Sequence, residues 1–184
     1  MISLILLAIS TFSMIICWFM PFLLGKDFSL SNTSLSDLAR HDKWDLPFSF
    51  VLIFSSITFI LWLIVKLGPN SENYMVGYLL LILSALAIMG VTTFRINHFY
   101  KSHMLFAVMH LLCSSFGVIF FGAEIYPYTK ILSYLSIFLG GMSFLVTHLT
   151  DRINKEGNGV YIPEIMHTLP ILVWAWSAQY LSLP

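Results

Sequence analysis

The sequence predicts an all-α fold: an integral membrane bundle of six transmembrane helices with an interfacial segment between the first two. Of the 184 residues, 58% are hydrophobic and only 10% are charged, whereas soluble domains carry about 25% charged residues. The apolar residues also fall into runs close to the roughly 20 residues that cross a bilayer as a helix. Lipid offers the backbone no hydrogen-bond partners, so helices are expected throughout. The runs form one domain, residues 1–184, and cover about 2–24, 48–66, 75–94, 104–123, 130–148 and 163–181.

The first run, residues 2–24, is predicted to be a spanning helix rather than a signal peptide. It exceeds the roughly 7–15 residues of a signal-peptide core, and no Lys or Arg precedes it. Residues 25–47 connect it to the second run. Within this connection, Ser34-Leu-Ser-Asp37 resembles a capping box. We therefore expect a short helix that lies in the membrane interface there.

Proline, glycine and capping residues mark the ends of the later runs. Asp45 and Pro47 fit the N-cap and the first-turn proline of the second helix. Gly68-Pro69-Asn70 is predicted to end that helix, and Pro127 separates the fourth run from the fifth. Pro163 opens the sixth run. These signals agree with the hydropathy in dividing the chain into separate helices.

An even number of crossings places both termini on one side of the membrane. The connections 25–47, 95–103 and 149–162 then share the opposite side, called here the loop face. Most of the basic residues lie on it, so the positive-inside rule predicts a cytoplasmic loop face in this multi-pass membrane protein. The longer loops on this face are an alternative cause of the same bias. The basic residues of the loop face are Lys26, Arg40, Lys43, Arg95, Lys101, Arg152 and Lys155.

The histidines cluster at or near the loop face, and four of them lie on predicted helices. Two helices carry small or polar residues at the helical period, which is typical of a packed or hydrated interior. On the fourth helix this stripe consists of His103, Ala107, His110, Ser114 and Gly117. On the fifth helix it consists of Ser133, Ser136, Gly140, Ser143 and Thr147. Plain helix packing explains most of the small residues, but it does not explain His110.

Two pairs of histidine and carboxylate residues flank the last connection. His148 and Asp151 end the fifth helix, and Glu164 and His167 begin the sixth. Residues three apart share a helix face, and Glu-x-x-His is a pattern by which helix bundles hold metals. The four residues would suit a divalent metal such as zinc, or iron. The alternative is a Glu favoured by the helix dipole beside an ordinary interfacial histidine.

The candidate catalytic residues are the four helical histidines and two acids. Imidazole titrates near neutral pH, so a histidine is expected to act as general base or metal ligand, with an acid orienting it or completing the site. The candidates are His103, His110, His148, Asp151, Glu164 and His167. Pro170 removes one backbone hydrogen bond from the sixth helix, and a kink there could open a cavity beneath the cluster.

Ligand-binding candidates come from the first and third connections. They are Asp37, His41, Arg95, Asn97 and Lys101. The cations among them could meet a phosphate or a lipid head group. The alternative is that these basic side chains only extend toward water from the helix ends.

Two short motifs lie in the same connections. Ser36-Asp37-Leu38 precedes Pro47, and a polar turn from Asn97 leads through His103 to Leu105-Phe106-Ala107. Together they resemble a group of six-helix membrane proteins. One branch comprises the damage-regulated autophagy modulators and related proteins of glycolipid-anchor remodelling, and another is a broad prokaryotic six-helix family.

The resemblance implies a six-helix bundle in a membrane-lipid context and, through its prokaryotic branch, a prokaryotic cell membrane. It carries over no catalytic role. Ala39 stands where the family usually has glycine, and both His103 and His110 fit the position of the family's histidine. In the modulator branch the first loop looks lumenal, which is opposite to the orientation that the basic residues predict.

The sequence favours a membrane protein that binds or modifies a lipid or a lipid-linked head group through a polar cavity. A non-enzymatic scaffold or regulatory subunit is the first alternative, and a b-type haem protein with two axial histidines is the second. A proton-coupled transporter is disfavoured because the centres of the runs lack Asp, Glu, Lys and Arg. Zero net charge and the lack of a long basic run disfavour nucleic acid as a partner. A homo-oligomer or a membrane-protein partner remains open.

Overall fold

The computed structural model describes residues 1–27, 45–94, 99–155 and 161–180, excluding the side chains of residues 24–27, 147, 150–155 and 161. Within these ranges the regular structure is entirely helical, so the all-α prediction is confirmed. The α-helices are α1 (Ile2–Phe19), α2 (Asp45–Trp62), α3 (Met75–Thr93), α4 (Tyr100–Ile125), α5 (Lys130–Lys155) and α6 (Tyr161–Tyr180).

Three segments of the described chain are long and apolar enough to cross a membrane: Ile2–Leu23, Asp45–Thr93 and Tyr100–Ile125. The second of these contains both α2 and α3. Lys130–Val146 of α5 is apolar but shorter, and α6 carries Glu164, His167 and Gln179 among its apolar residues. By this measure the count of six spanning helices is not supported.

The helix ends differ from the predicted ones because hydropathy marks where the chain is apolar, whereas backbone hydrogen bonds continue into polar sequence. Helix α5 extends seven residues beyond the predicted end at residue 148. Helix α1 ends at Phe19 and continues as a 3-10 segment, Met20–Asp27. Pro21, in that segment, has no backbone N–H to donate. The predicted interfacial helix around Ser34–Asp37 lies outside the described residues.

The predicted break at Gly68-Pro69-Asn70 is confirmed. After α2 the chain forms a π-helical turn, Leu63–Leu67, and then a 3-10 segment, Gly68–Tyr74. Asn70 has non-helical backbone angles, φ −122° and ψ 24°. Asp45, predicted as an N-cap, is the first residue of α2, where its Oδ1 lies 3.4 Å from the Ser49 hydroxyl.

The helices pack in chain order, each against the next, and α6 returns to contact α1 and α4. Trp62 and Trp174 meet edge to face in the core, with ring centroids 6.0 Å apart. The Trp62 indole N–H donates to Gln179 Oε1 over 2.9 Å, and that of Trp174 donates to Ser136 Oγ over 3.1 Å. Buried tryptophans with satisfied N–H groups add apolar area without an unpaired donor. This core fixes α6 against α2 and α5.

Helices α3 and α4 approach each other closely at Gly77. A Cβ atom at Gly77 would lie 2.4 Å from the backbone nitrogen of Phe121. Glu124, one turn further along α4, accepts hydrogen bonds from two backbone N–H groups in the first turn of α3: Val76 over 3.0 Å and Gly77 over 2.9 Å. A carboxylate at a helix N-terminus is favoured by the free N–H groups and by the helix dipole. Glu124 therefore joins α4 to the start of α3.

Replacing Glu124 with alanine is expected to lower the free energy of unfolding by about 1–2 kcal/mol, because two charge-assisted hydrogen bonds are lost. Thermal unfolding of the purified protein in detergent would measure the change. The exposed Glu72 lies just before α3 and provides a matched control, whose alanine variant should change stability by less than about 0.5 kcal/mol. Equal effects of the two variants would contradict the proposed capping role.

Candidate functional site

Two histidines meet inside the helix bundle. His110 on α4 and His167 on α6 have ring centroids 5.7 Å apart and ring planes inclined at 74°. His167 is only 1% exposed, and His110 is half-buried. At 1.5 Å rise per residue, His110 lies about 15 Å from the start of α4 and His167 about 9 Å from the start of α6. The pair therefore lies well inside the bundle.

His167 connects three helices through serine residues. Its Nε2 lies 2.9 Å from Ser114 Oγ on α4. Its Nδ1 lies 2.9 Å from Ser143 Oγ and 3.2 Å from the Ser143 carbonyl oxygen on α5. In return, the Ser143 hydroxyl donates to the His167 carbonyl oxygen over 3.1 Å. Both ring nitrogens thus have hydrogen-bond partners in a buried setting, where an unpaired polar group would be unfavourable.

His110 joins α4 to α3 through Ser84. Its Nδ1 lies 2.9 Å from Ser84 Oγ and 3.2 Å from the Ser84 carbonyl oxygen. The Ser114 hydroxyl lies 2.7 Å from the His110 carbonyl oxygen, to which it can donate. Ser114 Oγ consequently contacts both histidine residues: the backbone carbonyl oxygen of His110 and the ring of His167. The arrangement is called here the histidine–serine site: Ser84, His110, Ser114, Ser143 and His167.

The histidine–serine site borders a small cavity between α1, α2, α3, α4 and α6. About 40 Å³ is open to the centres of water molecules, which exceeds the roughly 10–15 Å³ that one buried water needs. Its polar wall consists of Ser10, Ser55, Ser56, Ser84, His110, Ser114, His167 and Thr168. The remaining wall is apolar and includes Leu81, Ile171 and Leu172. The cavity therefore combines hydrogen-bonding groups with apolar surface.

The cavity lies beside the part of α6 that contains Pro170, since His167, Thr168, Ile171 and Leu172 all line it. On its α1–α2 side, Ser10 and Ser55 donate to each other's carbonyl oxygens, both over 3.0 Å. The acceptors in these reciprocal bonds are backbone carbonyl oxygens within α1 and α2. They allow α1 and α2 to approach closely with their hydroxyl groups satisfied.

An apolar groove follows the outer seam between α1 and α6. Its volume is about 470 Å³, and Leu172 lines both this groove and the inner cavity. Across the groove, the Trp176 indole N–H on α6 donates to Thr11 Oγ1 on α1 over 3.0 Å. The groove is lined mainly by apolar and aromatic side chains, including Ile15, Trp18, Leu169 and Val173. Leu172 is thus a wall shared by the outer groove and the inner cavity.

His103 occupies a different position from His110 and His167. Its Nδ1 lies 3.0 Å from the carbonyl oxygens of both Val91 and Phe94, at the end of α3. Carbonyl oxygens only accept hydrogen bonds, so Nδ1 carries the proton. The last carbonyl groups of a helix have no partner within it. His103, predicted as a catalytic candidate, therefore stabilises the end of α3 from α4.

The predicted metal centre of His148, Asp151, Glu164 and His167 stays a prediction. His148 is exposed on α5, Glu164 is half-buried on α6, and the side chain of Asp151 lies outside the described residues. Among the side chains that the structure describes, no group of three or more His, Cys, Asp or Glu could hold a metal ion. His167 bonds to Ser114 and Ser143 through both ring nitrogens, so zinc binding would have to displace one of them.

The predicted ligand-binding residues lie mostly outside the described ranges. Asp37 and His41 belong to residues 28–44, and Arg95 and Asn97 to residues 95–98. Lys101 is exposed in the first turn of α4. Their association at the loop face accordingly stays a prediction.

Part of the histidine–serine site was predictable from the sequence. The two stripes included Ser114, Ser143 and His110, and the burial of Ser133, Ser136 and Ser143 on α5 is confirmed. Ser84 was missed because it is a single serine in a long apolar run. Hydroxyl residues within the apolar runs were the available signal, since Ser10, Ser55, Ser56 and Ser84 line the cavity.

In comparisons with known proteins, no family model, curated protein or solved structure matches this chain. What the histidine–serine site does must therefore be inferred from its own residues and contacts.

Proposed function

We propose that the chain is a multi-pass membrane protein in which α1–α6 all cross the bilayer. The outer surface supports this proposal, because large apolar side chains are exposed along the helices, among them Phe12, Phe50 and Phe138 at 66%, 68% and 63%. Many serine side chains and those of His103 and His167 are instead buried. Apolar residues outside and polar residues inside suit lipid as the surrounding solvent. Both termini would lie on the same side, and the loop face would carry the connections.

We further propose that the protein binds a membrane lipid or a lipid-linked group whose polar part enters the cavity. The observation that carries this proposal is the shared wall at Leu172 between the apolar groove and the inner cavity, which His110, Ser114 and His167 also line. Pockets that bind amphipathic ligands are largely apolar, with a few polar groups that fix orientation. An acyl chain would lie in the groove along α1 and α6, and a polar group would pass Leu172 to reach His167.

The cavity is smaller than a lipid head group, so binding requires α1 and α6 to separate. Two side-chain hydrogen bonds hold this seam, from Trp176 Nε1 to Thr11 Oγ1 over 3.0 Å and from Gln179 Nε2 to Ser3 Oγ over 3.3 Å. In a bilayer such a bond contributes about 0.6 kcal/mol on average. A seam held in this way can open at small free-energy cost. The resemblance to lipid-associated six-helix proteins agrees with a lipid ligand, while the cytoplasmic loop face and a homo-oligomer stay predictions.

Lipid crosslinking in nanodiscs tests the proposal. A phospholipid with a diazirine on its acyl chain is expected to label residues of α1 and α6 preferentially. Filling the groove by Ser177→Trp should reduce this labelling several-fold, because Ser177 lines the groove. Leu86→Trp on the exposed face of α3 provides the matched control, since Leu86 is 48% exposed. Labelling that spreads evenly over all helices and is unchanged by Ser177→Trp would overturn the proposal.

A scaffold or regulatory subunit is the second candidate function. The observation in its favour is that both ring nitrogens of His167 are bonded to serines, as expected for a structural network. The haem hypothesis gains no such support. A porphyrin is many times larger than the cavity of about 40 Å³ beside His110 and His167.

A further inference from the structure

We propose that Ser114 is a nucleophile and His167 its general base, and that they transfer the acyl group of a carboxylic ester in a membrane lipid. This inference rests on the proposed function and specifies the substrate class of the same site. It requires a nucleophile within reach of a base, a group that orients the base, and a cavity in which a carbonyl group can sit.

The nucleophile and the base are within hydrogen-bond reach. Ser114 Oγ lies 2.9 Å from His167 Nε2, inside the range of about 2.6–3.2 Å expected for proton transfer between such groups. On the other side of the ring, the Ser143 carbonyl oxygen lies 3.2 Å from Nδ1. A carbonyl oxygen only accepts a hydrogen bond, so it favours the tautomer with the proton on Nδ1. In that tautomer Nε2 carries a lone pair and can accept the proton of Ser114.

A rotation of one hydroxyl group suffices to activate Ser114. In one orientation its proton points to the His110 carbonyl oxygen, 2.7 Å away, and in the other it points to Nε2 of His167. Both Ser114 and the neighbouring Ser115 contact the Leu111 carbonyl oxygen, but the second partner of Ser115 is Ser143 Oγ, 3.1 Å away, rather than a histidine ring. Adjacent serines on α4 therefore have different surroundings, and Ser114 is the one that contacts Nε2.

The cavity supplies the remaining requirement. Ser114, His167 and His110 all line it. Nδ1 of His110 lies 2.9 Å from Ser84 Oγ and 3.2 Å from the Ser84 carbonyl oxygen, which favours the tautomer with the proton on Nδ1, as in His167. The ring donates to a carbonyl oxygen that becomes negatively charged during attack only in the other tautomer, in which Nδ1 accepts from the Ser84 hydroxyl and Nε2 carries the proton. The nearest acidic residue on α6 is Glu164, which lies three residues before His167, or about 4.5 Å along the helix axis.

The reaction balances with the groups present and a second substrate, water or an alcohol. The Ser114 hydroxyl proton moves to Nε2 of His167 while Oγ forms a bond to the ester carbonyl carbon. The bond from that carbon to the leaving oxygen breaks, and the leaving alcohol takes the proton from Nε2. In the second half, water or an alcohol gives its proton to Nε2 and attacks the acyl carbon. Ser114 Oγ leaves and recovers the proton, which regenerates the free hydroxyl.

Covalent labelling of the full chain in lipid nanodiscs tests this inference. An alkyl fluorophosphonate, which partitions into membranes and reacts with activated serines, is expected to form an adduct that peptide mass spectrometry assigns to Ser114. His167→Gln should slow labelling about a hundredfold or more, the usual contribution of a general base. Ser133→Ala, on a buried serine of α5 whose hydroxyl has no partner among the described residues, should leave the rate unchanged.

The adduct is sought on the wild-type protein, so this part of the test does not depend on whether a variant folds. No adduct on Ser114 in a folded, monodisperse sample, an adduct on Ser115 instead, or equal labelling rates for wild type and His167→Gln would each overturn the proposal. Lipid crosslinking on the same sample separates the two claims. If crosslinking to α1 and α6 persists without an adduct, only the nucleophile is refuted. If that crosslinking is lost as well, the lipid-binding function fails too.

Discussion

Replacing Gly77 with alanine is expected to lower the free energy of unfolding by about 3 kcal/mol, because the helices cannot accept a larger side chain there. The new Cβ would lie 2.4 Å from the backbone nitrogen of Phe121 and 2.6 Å from its Cα. Backbone atoms cannot move aside as the end of a flexible side chain can. Helix α3 would have to shift away from α4, which would also disturb the contact of Ser84 with His110.

Gly141 provides a control with the opposite expected sign. A Cβ at Gly141 meets nothing within 4 Å. Alanine in a helix is favoured over glycine by about 1 kcal/mol, so Gly141→Ala should leave stability unchanged or raise it. Unfolding in detergent, followed by circular dichroism, compares the two variants. If both raise the stability equally, the close approach of α3 and α4 at Gly77 is contradicted.

Replacing His167 with alanine is expected to lower the free energy of unfolding by about 2–4 kcal/mol. Removal of the buried ring leaves a cavity, and it removes the ring contacts with Ser114 on α4 and Ser143 on α5. The two serines can still donate to carbonyl oxygens, which keeps the loss below that of fully unpaired hydroxyl groups.

The exposed His148 on α5 is the matched control for His167. His148→Ala should change the free energy of unfolding by less than about 0.5 kcal/mol, as measured by the same detergent unfolding. If His167→Ala lowers the free energy of unfolding as little as His148→Ala does, the bridging role of His167 is contradicted. If His167→Gln restores stability and the wild-type protein shows no preferential lipid crosslinking to α1 and α6, the scaffold function is favoured over the lipid-binding function.

The fold was largely predictable because hydropathy and helix-breaking residues report directly on local structure. The break at Asn70 and the helical character of every described run follow from such signals. The polar stripes on α4 and α5 were also visible, since helical periodicity places Ser114 and Ser143 on inward faces. Helix ends were less predictable, because α5 continues into polar sequence up to Lys155.

The partners of each histidine could not be predicted from the sequence. His103 and His110 share one stripe on α4, yet His103 contacts carbonyl groups at the end of α3, whereas His110 contacts Ser84. The difference depends on where α3 ends relative to α4, which periodicity does not specify. Similarly, the spacing of Glu164 and His167 suggested a metal-binding pair. The ring of His167 is instead bonded to Ser114 and Ser143, because the packing of α4 and α5 against α6 brings these serines to both of its nitrogens.

The central claim is that the polar part of a lipid enters the histidine–serine cavity from the seam between α1 and α6. Crosslinking with a phospholipid whose diazirine is on the head group tests it most directly. Adducts are expected on residues that line the cavity, such as Thr168 and His167, and they should decrease in Ser177→Trp together with the acyl-chain adducts. Head-group adducts confined to the ends of the helices, with the cavity residues unlabelled, would contradict the claim.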